Sequence, residues 1–254
     1  MYEYEFHILF IFFNLSYIFY NQTSPNAPSR QPTVFNRKRK MSLNSNYYCS
    51  LLKICTETRN QTQAKKIHCH ILKTLKNPET FLLNNLVNAY SKLGDLTYAR
   101  YVFDKIPRPN LFSWNTILFT YSKSGNLSDM NYIFNRMPEH DGVSWNSLIS
   151  GYASRGLVTE AVKGYNSMLR DGVTNLNRIT FSTMLILSSS QGCVDLGRQI
   201  HGQIVKFGFG SYVFVGCPLM DIYSKAGFVY NVKRVFDETP ERNVVMYNTM
   251  ITGL

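Results

Sequence analysis

Residues 111–141 read LFSWNTILFTYSKSGNLSDMNYIFNRMPEHD, and residues 142–156 begin the same pattern again with GVSWNSLISGYASRG. In both stretches a Trp-Asn pair leads an apolar stripe recurring at three- and four-residue intervals, the period of an amphipathic helix. A glycine ends the stripe, and in the longer quotation a second helical pattern runs on to Pro138. Tyr247-Asn248 is a third aromatic–Asn pair, and the segments FLLNNLVNAYSKLG, ITFSTMLILSSSQG, FVGCPLMDIYSKAG and YYCSLLKICTET fit the same register. With the aromatic at the fourth place, units start at Ser45, Thr80, Leu111, Gly142, Arg178, Val213 and Val244, at spacings of 35, 31, 31, 36, 35 and 31 residues.

Columns that did not set the register agree with it. The fifteenth place holds Gly94, Gly125, Gly156, Gly192 and Gly227, with Arg59 the departure. The eleventh holds Tyr90, Tyr121, Tyr152 and Tyr223; the twenty-fourth holds Phe103, Phe134, Tyr165 and Phe236, or His68 and His201. The three 31-residue units place Pro107, Pro138 and Pro240 at position 28. Each column has a physical meaning. Residues 84–93 and 146–155 predict a first helix, and the glycine supplies the positive φ of a helix C-cap. Residues 96–106 (LTYARYVFDKI) predict a second helix, which the following proline cannot continue. One such pair cannot bury its apolar faces, whereas stacked pairs can. The expected fold is therefore all-α, an α-solenoid superhelix of stacked helix–turn–helix repeats. The expected organisation is a leader over 1–44, long, short, short, standard, long and short units over 45–79, 80–110, 111–141, 142–177, 178–212 and 213–243, and a partial unit over 244–254.

The chain carries 27 Lys and Arg against 16 acids, a formal charge of +11, so an anionic partner is the first expectation. Only five of those cations (Arg30, Arg37, Lys38, Arg39, Lys40) precede residue 45, against Glu3 and Glu5, so the excess belongs mainly to the array. Five cysteines without a C-x-x-C speak against a disulfide framework and for a reducing compartment. Residues 6–20 form an apolar run too short for a membrane span and lacking a secretory cleavage pattern. The acid-free, Ser-, Thr- and Asn-containing stretch with the basic residues 37–40 suits an organelle transit peptide, and a flexible basic leader suits it nearly as well. Met41 offers an alternative start.

Segments such as SWNSLISGYASRG, FDKIPRPNLFSWNTIL and LGRQIHGQIVKFGF resemble plant pentatricopeptide repeats of the mixed-length subclass. The resemblance spans residues 45–254 and implies sequence-specific binding of single-stranded organellar RNA, one base per repeat. It further implies a specificity factor for C-to-U editing or transcript processing, with a mitochondrial address, a chloroplast alternative, and a cytoplasmic one if the chain starts at Met41. The family reads a base with the fifth and the last residue of a unit and packs the second residue against it. By that register the readers are Asn84 with Asn110, Asn115 with Asp141, Asn146 with Asn177, Ser182 with Tyr212, Cys217 with Asn243, and Asn248. Cys49 with Glu79 fits no pairing of the family, and the Ser182 and Cys217 pairs depart from its code. The base-packing residues are Phe81, Phe112, Val143, Ile179, Phe214 and Val245, with Asn46 as the polar exception. An Asn amide offers donor and acceptor to a pyrimidine edge, and the acceptor-only carboxylate of Asp141 favours the uracil N3–H. The implied footprint is pyrimidine-rich, 5′-?-Y-U-Y-?-?-Y, where Y is a pyrimidine.

Other readings apply to the same residues. His68-Cys69-His70 with Cys55 suggests zinc, but neighbours on a helix diverge and His68 shares a column with His201, which favours packing. The H-x-E and P-C-x-x-C of zinc base deaminases are absent from the sequence. No other catalytic motif or cofactor site stands out, so no enzymatic activity, metal or cofactor is expected, and a deaminase would be supplied in trans by editing-complex proteins. Trp114, Trp145 and the tyrosines read as core residues rather than a stacking platform. Asn also caps helix starts, and capping would account for part of the Asn column. The seventh unit stops eleven residues in, without the polar capping repeat of a solenoid, which reads as truncation before a C-terminal deaminase domain. The rival functions are a tetratricopeptide-like protein-binding scaffold and an inactive truncated product; a membrane partner is not expected.

Overall fold

The computed structural model describes residues 34–172 and 176–252. The apolar run at residues 6–20 and the transit-peptide reading of the first 33 residues lie outside the described residues. Thirteen helices and no strands occur among the described residues. They are α1 (Val34–Glu57), α2 (Gln61–Thr74), α3 (Thr80–Lys92), α4 (Leu96–Asp104), α5 (Leu111–Ser124), α6 (Leu127–Arg136) and α7 (Gly142–Ala153). The series continues with α8 (Val158–Arg170), α9 (Arg178–Ser190), α10 (Val194–Phe207), α11 (Val213–Lys225), α12 (Val229–Glu238) and α13 (Val244–Thr252). None is long and apolar enough to cross a membrane.

From α3 onward the helices alternate between two layers. α3, α5, α7, α9, α11 and α13 stack successively on one another. Each intervening helix packs against the helix before it and wedges onto the next one. The chain is thus an all-α solenoid whose core is a series of interfaces between neighbours.

The turn between the two helices of a pair is the same throughout. The peptide N–H after the turn residue bonds the carbonyl five residues earlier: Asn60 to Cys55 (2.9 Å), Asp95 to Tyr90 (2.9 Å), Asn126 to Tyr121 (3.2 Å), Leu157 to Tyr152 (3.1 Å), Cys193 to Ser188 (2.9 Å) and Phe228 to Tyr223 (2.8 Å). That bond requires a left-handed residue between its partners. Glycine provides it at Gly94 (φ 79°), Gly125, Gly156, Gly192 and Gly227, and Arg59 (φ 52°) is the one non-glycine residue with positive φ among the described residues. The departure in the glycine column is therefore tolerated strain and not a different turn. The second helices α4, α6 and α12 stop one to three residues before Pro107, Pro138 and Pro240. In two repeats without that proline positive-φ glycines follow, Gly172 after α8 and Gly208 after α10, whereas α2 ends at the extended Leu75.

Aromatic contacts join successive pairs. Phe103 meets Trp114 edge-on at 5.0 Å, Phe134 meets Trp145 at 4.8 Å, and Phe236 meets Tyr247 at 5.2 Å. Where histidine replaces phenylalanine, its ring meets the eleventh-position tyrosine of the next pair. His68 Nδ1 lies 3.0 Å from the Tyr90 hydroxyl, and His201 Nδ1 lies 2.7 Å from that of Tyr223. These two histidines pack in equivalent places. Trp145, Tyr90, Tyr121 and Tyr223 are buried, whereas Trp114 and Tyr152 are half-buried.

Two expectations follow. Gly94 has open space where a Cβ would stand, so Gly94→Ala isolates the conformational cost and is expected to lose about 1 kcal/mol. Arg59→Gly is expected to gain up to about 1 kcal/mol by the same argument; urea unfolding measures both. Burial pushes the His68 and His201 imidazoles below their ordinary pKa, a shift that Arg234 deepens and Glu238 opposes at His201. The unfolded chain then binds more protons just below pH ~6.5. Stability is thus expected to be fully present above that pH and to fall as pH drops toward the depressed folded values. His201→Gln should flatten that slope in urea titrations at a series of pH values.

Candidate nucleic-acid interface

The second residue of each first helix lies in its opening turn, where the neighbouring stack does not cover it. Phe81, Phe112, Val143, Ile179, Phe214 and Val245 are all more than half exposed, from 53% at Phe81 to 67% at Phe214. Scattered apolar residues on a surface are ordinary, but an exposed one at the same place in six first helices that stack in turn repeats along the array. Arg178 places its guanidinium 5.5 Å from the centre of the Phe214 ring.

Beside this edge stand the caps. Asn110 Oδ1 accepts from the Ser113 N–H at 2.9 Å, and the Ser113 hydroxyl accepts in return from the Asn110 N–H at 3.2 Å. Asp141 Oδ1 accepts from the N–H groups of Val143 (3.0 Å) and Ser144 (2.8 Å). Asn177 Oδ1 accepts from those of Ile179 (2.9 Å) and Thr180 (3.2 Å), and Asn243 Oδ1 from that of Met246 (3.0 Å). Glu79 and Tyr212 occupy the same place without a side-chain bond to the helix. The capping reading of the fifth-position asparagines is thereby corrected. Asn84, Asn115 and Asn146 lie inside their helices, and the capping residue is the last residue of the preceding repeat.

The structure brings some of the expected pairs together. Asn115 Nδ2 donates to both Asp141 oxygens, at 3.1 and 3.2 Å. Because a carboxylate only accepts, this contact fixes which way the amide faces. The Cys217 thiol points at Asn243 Oδ1 at 3.8 Å. Asn146 is joined to Asn177 through a residue that sequence reasoning missed, Thr180, whose hydroxyl donates to Asn146 Oδ1 at 2.6 Å. Among the described residues, Asn84 makes no hydrogen bond to Asn110, nor Ser182 to Tyr212. Asn84 is buried with its Oδ1 unpartnered, and Asn248 is exposed. The signal for Thr180 was present in the third-position column, where Ser113, Ser144 and Thr180 are hydroxylated and Leu82, Val215 and Met246 are not.

Two recesses bear on the surface, the first toward the end of α3 and the second at the helix starts. A cavity of about 330 Å³ between α1 and α3 is lined by Cys49, Lys53, Asn85, Asn88 and Lys92 among others. Another of about 420 Å³ lies where the starts of α9, α11 and α13 approach each other, lined by Arg178, Tyr212, Phe214 and Arg242 among others. Flat aromatic and apolar groups interleaved with cations and amides suit unpaired bases and their phosphates, which stack and pair with such groups.

An array of helical hairpins with exposed apolar residues and helix caps at the starts of its first helices defines a class of repeat proteins, and comparison identifies the family. A "PPR repeat" model matches residues 81–110 and 112–141, and a "PPR repeat family" model matches residues 140–186. A putative pentatricopeptide repeat-containing protein of Arabidopsis thaliana is 61% identical over 213 residues, covering 83% of this chain and 29% of that protein. A second Arabidopsis pentatricopeptide repeat-containing protein is 47% identical over 209 residues, covering 82% and 30%. The chain spans about three-tenths of the length of these curated relatives. The crystal structure of the maize pentatricopeptide repeat protein PPR10 superposes with a TM-score of 0.61 at 18% identity, over 82% of this chain and 31% of that one. PPR10 in complex with an 18-nucleotide psaJ RNA element gives 0.65 at 18% identity, over 75% and 29%. The chain is a pentatricopeptide repeat protein of the plant type.

The capping geometry makes a prediction. Asn110→Ala is expected to cost about 1 kcal/mol in urea unfolding, whereas Asn110→Asp, which retains the acceptor, should be close to neutral.

Proposed function

We propose that the array binds single-stranded RNA in an organelle, one base per repeat, and acts as a specificity factor for C-to-U editing or transcript processing. The observation that carries this reading is the Asn115–Asp141 contact beside the exposed Phe112 and Val143. Asp141 Oδ1 is occupied by two backbone N–H groups, while Oδ2 has Asn115 as its one hydrogen-bonding partner among the described residues. The pair can thus offer an amide donor and a carboxylate acceptor side by side. Uracil presents the complement, a carbonyl next to N3–H. Apolar side chains at the second position pack on the base faces, and the lysines and arginines contribute the salt-dependent phosphate term.

By register the footprint is 5′-?-Y-U-Y-?-?-Y, with the repeats phased as the long, short and standard units of the mixed-length subclass. PPR10, which is named in complex with RNA, supports an RNA partner. Two of the matched Arabidopsis proteins are named mitochondrial, which supports that organelle. A deaminase acting in trans would supply the editing chemistry.

Fluorescence anisotropy with a labelled single-stranded RNA of this footprint tests the proposal. Affinity is expected to fall steeply and log-linearly with salt. Asp141→Asn should remove the uracil preference at the third position of the footprint while leaving overall binding within a few-fold, because Asn caps a helix as well as Asp does. Failure to bind any single-stranded RNA at low salt would sink the reading and leave a protein-binding scaffold in its place.

A further inference from the structure

The second helices do not pack on one another, and positive charge gathers in the gap between two of them. α4 and α6 each touch the first helices on either side, with no close approach between their own backbones. Between them lies a recess of about 180 Å³, lined by Arg100, Asp104, Trp114, Tyr132 and Arg136 among others. Arg100 comes from α4 and Arg136 from α6, and each holds its guanidinium carbon 5.3 Å from the centre of the Tyr132 ring. Arg136 also donates to the Tyr132 hydroxyl. The Tyr132 phenol is pushed below its ordinary pKa, foremost by Arg136 and further by Arg100, so both cations bear on the same oxygen.

Two like charges drawn to one ring repel each other unless an anion offsets them. One carboxylate does so in part. Both Asp104 oxygens accept from Arg100 Nε at 2.9 Å, which leaves the Arg100 Nη donors uncommitted to it. Arg136 makes no ion pair among the described residues, and the Trp114 indole N–H has no acceptor among them. With two arginines against Asp104, the lining keeps a net positive charge. A planar carboxylate would be satisfied by a single guanidinium fork, whereas a tetrahedral oxyanion has oxygens for donors that come from separate elements.

We propose that this recess is a phosphate site, in which a phosphate oxyanion bridges Arg100 and Arg136 and ties the second helices of the second and third repeats together. The Tyr132 hydroxyl and the Trp114 indole N–H are the neutral donors at its margin. Asp104 faces the same recess and opposes the anion, which keeps the expected affinity modest. The site is independent of the RNA reading of the helix starts. Its phosphate is either the free ion or a group of a nucleic-acid strand; the chemistry is shared, and the experiment separates the two.

Inorganic phosphate is titrated into the full chain against sodium chloride of equal ionic strength, and the indole N–H resonance of Trp114 is followed by NMR. A saturable shift at millimolar phosphate is expected. Arg136→Gln, at an exposed position, should weaken it at least about tenfold. Lys163→Gln removes an exposed charge on α8 and should leave it within about twofold. Thermal melts check that each variant is folded. No saturable shift in the wild-type protein overturns the site, as does an unchanged shift in Arg136→Gln. Equal weakening by Lys163→Gln marks diffuse attraction to a basic chain and overturns it as well. Anisotropy with single-stranded RNA then identifies the source of the phosphate. Wild-type RNA affinity in Arg136→Gln assigns the site to the free ion; a lower affinity with a salt slope reduced by about one assigns it to a backbone phosphate. A chain that shows the saturable shift and binds no RNA keeps the phosphate site and loses the RNA reading.

Discussion

A two-helix repeat has one apolar stripe too many, and the contact that hides it is made by the next repeat. In this chain that contact is centred on a ring from the second helix lying edge-on against an aromatic of the following first helix, as with Phe103 on Trp114 and Phe134 on Trp145. Edge-to-face geometry adds about 0.5–1.5 kcal/mol per pair to what burial already contributes. Because every such junction joins only neighbours, the array is held together link by link. The linking residue also adapts. His68 and His201 replace the ring with a polar one and find a tyrosine hydroxyl instead of an indole edge.

This junction fixes the pitch at which first helices follow one another, and so the pitch of their exposed starts. Variation in repeat length falls beyond the junction, where a proline closes some repeats and a glycine such as Gly208 closes another. Loops of different length can therefore be tolerated while an exposed apolar residue recurs at each helix start from Phe81 to Val245. The capping residues stand clear of the helix starts because the chain arrives there in an extended conformation. The residue before a first helix is thereby brought to the second turn of the preceding first helix, as Asp141 is to Asn115 across the repeat between them.

The fold was largely legible in the sequence because its signals are local. An apolar stripe, a left-handed residue and a helix stop follow in fixed order, and each obeys backbone sterics that need no knowledge of the neighbours. Arg59 shows how far this extends: the turn keeps its conformation where the glycine is lost. The site was legible only as columns. That Asn110, Asp141 and Asn177 cap helices, whereas Asn84, Asn115 and Asn146 do not, depends on where each helix starts to within a residue. The direction taken by the Thr180 hydroxyl depends on a contact 34 residues away, and no local pattern distinguishes it from the hydroxyls of Ser113 and Ser144.

Under the proposed reading, the last residue of a repeat would contact a base as well as cap the next helix, and the cap restricts which residues can stand there. Asn and Asp both satisfy the opening N–H groups of the next helix, as Asn110, Asp141 and Asn177 do, so exchange between them leaves the scaffold intact. A larger or apolar residue at that place gives up the cap, as at Tyr212, and the helix must then rely on its junction with the neighbouring repeats. Helix chemistry thus limits the residues that serve at this place, whatever else contacts them. Tyr212 and Glu79 are the two places where the last residue of a repeat leaves the following helix without a side-chain cap.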